Sequence, residues 1–193
     1  DKRRDVYIAP YQINNKDVEV AWKDNQIVQR SCGKFRREWE ISSMKHKNYT
    51  PENYPVLRYS DVLLMQAEAE NEANNGPTDK AYKAINTVRE RAGLEALKNL
   101  DYTTFQQEVR DERARELCFE SLRKYDLVRW GIYVDAIHNK LGAATATKRW
   151  APGNNFLGAA AYANNTTEKH QFLPIPSREL SVNTKLQQNK FWK

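Results

Sequence analysis

The spacing of apolar positions divides the chain into an extended beginning, a helical middle and an irregular end. Asp1 to Tyr49 shows no helical period. Val18, Val20 and Trp22 alternate with Glu19 and Ala21, and Ile27-Val28 follows a Lys-Asp-Asn turn. That pattern predicts a short hairpin or two extended pieces. Tyr49 to Pro55 reads as a loop broken by Pro51 and Pro55. From Leu57 to Asn74 the period becomes helical. Tyr59, Val62, Leu63, Gln66, Ala67 and Glu70 trace one stripe, widened by Leu64 and Met65. Gly76-Pro77 ends this helix, and Thr78 or Asp79 caps the next. Ala81, Ala84, Ile85 and Val88 share a face of that second helix, which Gly93 closes. The short connector predicts an αα-hairpin. Thr103 or Thr104 is placed to cap a third helix, with Gln106 or Gln107 as its capping-box partner.

The stretch from Val109 to Gly131 reads as one long helix with a break near its end, at Gly131. Val109, Leu117, Phe119 and Leu122 supply apolar surface. Asp111, Glu112, Arg113, Arg115, Glu116, Glu120, Arg123, Asp126 and Arg129 supply charge of both signs. Neighbours three and four apart in a helix interact, so Asp111 with Arg115, Arg113 with Glu116 and Glu120 with Arg123 or Lys124 are the expected pairs. Phe, Tyr and Trp among the charges imply burial, and buried charges must be paired. These residues therefore read as a structural ion-pair network, not a catalytic one. Tyr133 to Leu141 reads as one further short helix.

Gly142 to Gln171 is rich in Gly, Ala, Asn and Thr and has no sustained period. A structureless stretch of this length is a crossing loop or a functional one. Phe172 to Trp192 reads as a tail that staples the helices. Pro174 and Pro176 hold it extended, and Ser177 caps a single turn.

Composition narrows the function classes. The net charge is +6, yet Lys and Arg alternate with Asp and Glu and form no continuous basic block. This argues against nucleic-acid binding. No apolar run approaches the ~20 residues that span a bilayer. His46, His138 and His170 are scattered, so no metal site is expected. No phosphate-binding, dinucleotide-binding or serine-hydrolase motif occurs, and no cofactor is implied. Paired carboxylates lie only among arginines, which would keep them ionised and unfit as general acids. Cys32 and Cys118 have no metal-ligand spacing. Cys118 reads as a small core residue, and the sequence leaves a disulfide between them open.

Aromatic residues are plentiful, with five Trp and ten Tyr. Trp22 and Trp39 lie in the extended beginning, while Trp150, Asn154, Asn155 and Tyr162 lie in the long irregular stretch. Flat rings stack on the apolar faces of sugars, and amide side chains hydrogen-bond their hydroxyls. These six residues are the candidate ligand contacts. The alternative for each is a core plug or a loop anchor.

Three blocks carry a family resemblance. ER-x-x-EL-x-FE-x-x-R-x-x-D-L-x-RWG runs from Glu112 to Gly131, YPVLRYSDVLLMQAEAEN from Tyr54 to Asn71 ahead of INTVRERAG at Ile85 to Gly93, and FLPIPSRELSVNTKLQQNKFW from Phe172 to Trp192. Their order resembles the C-terminal portion of the SusD/RagB family of bacterial nutrient-binding outer-membrane lipoproteins. The resemblance implies a mainly α fold with tetratricopeptide-like helix pairs, long irregular loops and little β. It makes the chain one domain: an irregular segment over 1–53, a helical core over 54–141, and a loop and tail over 142–193. It also implies non-catalytic capture of a glycan for a TonB-dependent SusC-like transporter, with a lipid anchor at the N-terminus of a longer protein. An oligopeptide-binding relative and a helical interaction scaffold are the alternatives.

Overall fold

The computed structural model describes residues 1–23, 26, 30–41, 49–142 and 154–193. It is mainly helical with one small hairpin, as the resemblance implies. The chain groups into two compact units, Asp1–Trp22 with Gln29–Arg123 and Lys23–Val28 with Lys124–Lys193.

The first unit opens with a short helix α1 (Arg4–Tyr7), which the sequence pattern does not announce. The hairpin follows, and it sits earlier than expected. Strand β1 (Tyr11–Ile13) pairs antiparallel with β2 (Glu19–Ala21), Tyr11 opposite Ala21. Val18 and Val20 thus face a partner that precedes them, and Ile27 and Val28 lie outside the described residues. The Asn14 side chain closes the turn by accepting from the Lys16 and Val18 backbone at 2.8 and 3.1 Å.

Helices α2 (Tyr59–Asn74) and α3 (Asp79–Arg91) form the expected pair, and α4 (Tyr102–Glu116) packs against both. Leu63, Leu64, Ala67, Ala84, Ile85, Val88, Phe105 and Val109 close the core. Alanines at Ala67, Ala81 and Ala84 let the helices approach closely. The Tyr82 ring meets Phe105 edge-on at 5.1 Å. Thr78 caps α3 as anticipated, accepting from the Ala81 N–H at 3.2 Å. Helix α4 begins earlier than anticipated, because Asp101 and not a threonine caps it, accepting from the Thr104 N–H at 2.9 Å.

The buried face of α2 is rotated from the apolar stripe. Ser60 and Asp61 are buried, while Tyr59, Val62 and Met65 are exposed. Polar bonds cause the rotation. Arg113 donates to Asp61 at 2.8 Å, and Arg58 donates to the Ser60 hydroxyl at 2.6 Å.

The long helix expected from Val109 to Gly131 is two helices. Chain direction changes after Glu116, and α5 (Arg123–Arg129) resumes beyond a turn. Phe119 (φ 66°) and Ser121 (φ 60°) both adopt left-handed backbone there. Each such residue costs about 1–2 kcal/mol. What holds the turn is Glu120 between them, whose carboxylate takes two hydrogen bonds from Arg58 at 2.8 Å and a third from Lys34. Cys118 consequently lies in a turn and is half-buried, not mid-helix. Phe119, expected to add apolar surface to the core face, is exposed.

The charged residues of α4 find most of their partners far away in sequence. Glu112 and Glu116 have no exposed surface. One guanidinium nitrogen of Arg3 bonds both, at 2.6 and 2.8 Å. Glu116 also accepts from Arg58 at 2.6 Å and from Arg91. Burial alone would raise the Glu116 pKa. Hydrogen bonds from Arg91, Arg3 and Arg58 overcome that and hold it at about 2. Arg58 is in turn held more firmly protonated than usual by Glu120 and Glu116, against its own desolvation. The expected Arg113–Glu116 and Glu120–Arg123 pairs yield to Asp61, Arg58 and Lys34, which come from elements packed on the helix.

In the second unit α5 stops at Arg129, and Gly131 (φ 70°) turns the chain two residues on, at the break the sequence marks. Helix α6 (Tyr133–Ala136) runs into a wider turn over Ile137–Gly142 instead of continuing as a regular helix. Part of the stretch expected to be irregular is a helix, α7 (Asn154–Asn165). Its Gly-Ala-Ala-Ala run lacks large apolar residues at helical spacing, so helicity there rests on alanine propensity, which apolar periodicity does not register. The tail carries α8 (Ser177–Val182), longer than the single turn expected and with no side-chain cap from Pro176. Trp192 staples the tail by donating its indole N–H to the Phe172 and Lys169 carbonyls at 3.0 and 3.2 Å.

Glu116→Ala should leave Arg3, Arg58 and Arg91 facing a void and lower unfolding free energy by about 3–5 kcal/mol, read by urea denaturation. Because the folded pKa is depressed, the Glu116 contribution is complete above about pH 4.5. It disappears as pH falls toward 2 and amounts to ~3 kcal/mol; acid melts of wild type should show this loss. Ser121→Gly should raise stability by about 1 kcal/mol, because glycine adopts φ 60° without strain.

Candidate ligand-binding site

A neutral or charged sugar is held by flat rings beside a few fixed polar groups. The first unit presents such a group next to the hairpin. Tyr11, on β1, donates its hydroxyl to the Glu38 carboxylate and accepts from the Arg36 guanidinium at 2.9 Å. The Arg36 guanidinium lies 5.1 Å from the Tyr11 ring centre and 5.4 Å from that of Trp39. Trp39 closes a short 3-10 turn, Arg37–Trp39, and leaves 54% of its surface exposed. The bond to Glu38 raises the Tyr11 pKa, so the hydroxyl keeps its proton.

Arg36 is fixed from behind. Its Nη2 reaches the Asp5 and Val6 carbonyls at 2.6 and 3.2 Å, and its Nε reaches the Gly33 carbonyl at 3.1 Å, which leaves one N–H of Nη1 outside these bonds. Gly33 makes this possible, since a Cβ there would lie 2.2 Å from the Val6 oxygen and 3.0 Å from the guanidinium. The result is an exposed indole with an oriented cation and a carboxylate beside it. Such a surface can stack on a ring face and exchange hydrogen bonds with hydroxyls.

Trp22 is differently placed. It follows β2, donates its backbone N–H to Pro10 at 2.9 Å and is half-buried. Its indole N–H is buried without a hydrogen-bond partner. The packed indole resembles a core plug more than a platform. Trp22 and Trp39 nevertheless both neighbour Tyr11, one through the Tyr11–Ala21 register and the other through Arg36.

In the second unit Tyr162 projects from α7 and is about half exposed, with its hydroxyl bonded to that of Tyr133. Burial and this bond push the Tyr133 pKa up to about 12. Thr166 donates to the Tyr162 carbonyl at 2.7 Å, and His138 donates to the Thr166 carbonyl at 2.8 Å. Tyr162 is therefore anchored at its hydroxyl and offers its ring. Asn154 and Asn155 open α7; their side chains, and all of Trp150, lie outside the described residues. The six residues anticipated from sequence thus fall in two units.

Sequence reasoning missed Tyr11, Arg36 and Glu38. Gly33 through Glu38 is conspicuous in sequence as GKFRRE, yet only the fold brings it to β1. Among the described residues, no group of three or more His, Cys, Asp or Glu could hold a metal ion. No helix there is long and apolar enough to cross a membrane. On α4 the Glu116 carboxylate is surrounded by Arg3, Arg58 and Arg91, which keep it ionised against its burial. Arg36→Lys should not replace the wild-type residue: a lysine offers no planar fork, and the variant should lose about 1–2 kcal/mol in thermal or urea unfolding.

Comparison with known proteins gives consistent results. The model of the SusD family matches residues 8–192. SusD-like protein P25 of Formosa agariphila is 40% identical over 136 residues, 68% of this chain and 23% of that protein. A SusD homolog crystal structure from Bacteroides thetaiotaomicron superposes with a TM-score of 0.78 at 32% identity, covering 98% of this chain and 40% of the other. Surface glycan-binding protein A from Bacteroides uniformis superposes with a TM-score of 0.60 at 28% identity, covering 98% of this chain and 37% of the other. The chain thus spans well under half the length of these relatives, and it belongs to the SusD family.

Proposed function

We propose that the protein of which this chain forms part captures oligosaccharide or polysaccharide at the cell surface and passes it, unaltered, to a TonB-dependent SusC-like transporter. On this reading it is a lipid-anchored protein of the outer membrane. Family membership supports the nutrient-uptake role, and the name of the Bacteroides uniformis relative supports a glycan as the ligand. The observation that carries the reading for these residues is the exposed Trp39 ring, held beside Tyr11 by an arginine anchored to three backbone carbonyls.

Trp39 supplies the stacking face, while Arg36 and Glu38 supply a donor and an acceptor for hydroxyls. Tyr162, with Trp150, Asn154 and Asn155, forms a second set of contacts of the same chemistry. Trp22, which follows β2, adds a further ring to the first set. Binding requires no proton transfer, which suits carboxylates locked in ion pairs.

Affinity electrophoresis of the full-length protein on a panel of polysaccharides tests this. At least one should retard the wild type, and Trp39→Ala should weaken that binding about tenfold, the loss of one stacked ring (~1–2 kcal/mol). Retention of peptides with no response to any polysaccharide would replace the glycan by an oligopeptide.

A further inference from the structure

Cys32 and Cys118 are both half-buried free thiols, distant in sequence but on segments that several bonds hold together. Cys32 forms an isolated antiparallel bridge with Ile8. The next residue, Gly33, donates its N–H to the Tyr7 carbonyl at 2.8 Å. Lys34 then passes over the Tyr7 ring, 4.0 Å from its centre, and donates to the Glu116 carbonyl at 2.6 Å and to the Glu120 carboxylate. Those two acceptors bracket Cys118 in the chain. The Tyr7 hydroxyl reaches the Glu116 carboxylate at 3.4 Å from the same side. Cys32 therefore lies two residues from a lysine whose ammonium touches both flanks of Cys118. Cys118 senses Cys32: burial pushes the Cys118 thiol up, the Lys34 ammonium opposes this, and the charge of Cys32 adds to the rise.

We propose that Cys32 and Cys118 join in an intrachain disulfide, which ties the segment after the hairpin to the turn that follows α4. The reaction is thiol–disulfide exchange with a small-molecule disulfide or a disulfide-bearing oxidoreductase. One cysteine, as thiolate, attacks a sulfur of the oxidant, forms a mixed disulfide and releases one oxidant thiolate. The second cysteine then attacks the protein-bound sulfur, closes the intrachain bond and releases the other oxidant thiolate. The protein gives up two protons and two electrons, and the oxidant is reduced to two thiols. The bond closes a long loop and so restricts the unfolded chain strongly. The cell-surface location proposed above supplies only the oxidising surroundings in which such a bond persists.

The chain is incubated with glutathione disulfide, denatured, treated with N-ethylmaleimide and weighed intact by mass spectrometry. The expected product is a monomer lighter by two hydrogens that carries no maleimide, and two maleimides after reduction. It should melt about 10 °C above the reduced protein, and Cys32→Ser should abolish that difference. Two maleimides after oxidant treatment, two glutathione adducts or a disulfide-linked dimer would overturn the proposal. The assay reads no ligand, so its failure leaves the glycan reading untouched.

Discussion

A carboxylate with no exposed surface must be surrounded by cations, and Glu116 recruits three of them. Arg3, Arg58 and Arg91 come from the N-terminal segment, from the residue preceding α2 and from the end of α3. No two of these belong to the same element. Satisfying one buried charge therefore fixes the mutual placement of four parts of the first unit. The apolar core of α2, α3 and α4 provides most of the driving force, but apolar contact is non-directional. The ion pairs add direction, since Arg58 reaches Glu116 and Glu120 only if the turn after α4 has its observed shape.

That turn shows how the network acts on the backbone. Phe119 and Ser121 take up a conformation that neither residue prefers, and they do so on either side of Glu120. Three hydrogen bonds from cations to one carboxylate outweigh the local preference. The same polar pull turns α2 about its axis, so that Ser60 and Asp61 are inside while Tyr59 and Val62 are outside. Both features follow from one rule: a buried charge leaves its partners little choice of position.

Much of the fold is legible in the sequence. The helix pair over Leu57–Gly93, the Thr78 cap and the break at Gly131 follow from period and punctuation. The charged residues of α4 are recognisable as structural because aromatic neighbours imply burial. Their partners are not recognisable, because spacing within one helix suggests local pairs and says nothing of Arg3 or Arg58. The split after Glu116 escapes notice for the same reason, since no Gly or Pro marks it. Helix α7 is hidden by its alanines, which favour helix without producing an apolar stripe. For the candidate site, Trp39 is legible as an aromatic in an irregular segment. Its companions Tyr11 and Arg36 are not, because they are joined only by the pairing of β1 and by the close backbone approach at Gly33.

Arg3 donates to residues 109 and 113 positions further along the chain. During synthesis the segment that carries it emerges long before its acceptors exist. Until α4 and the turn after it are made, Arg3 has only the adjacent Asp1 carboxylate to bind, and Lys34 and Arg58 lack their partners Glu116 and Glu120. The helix pair α2–α3 can assemble early from local contacts, whereas the bonds from Arg3 to α4 form only after the ribosome has passed Glu116. Docking of the Arg3 segment on α4 therefore follows assembly of the helix pair.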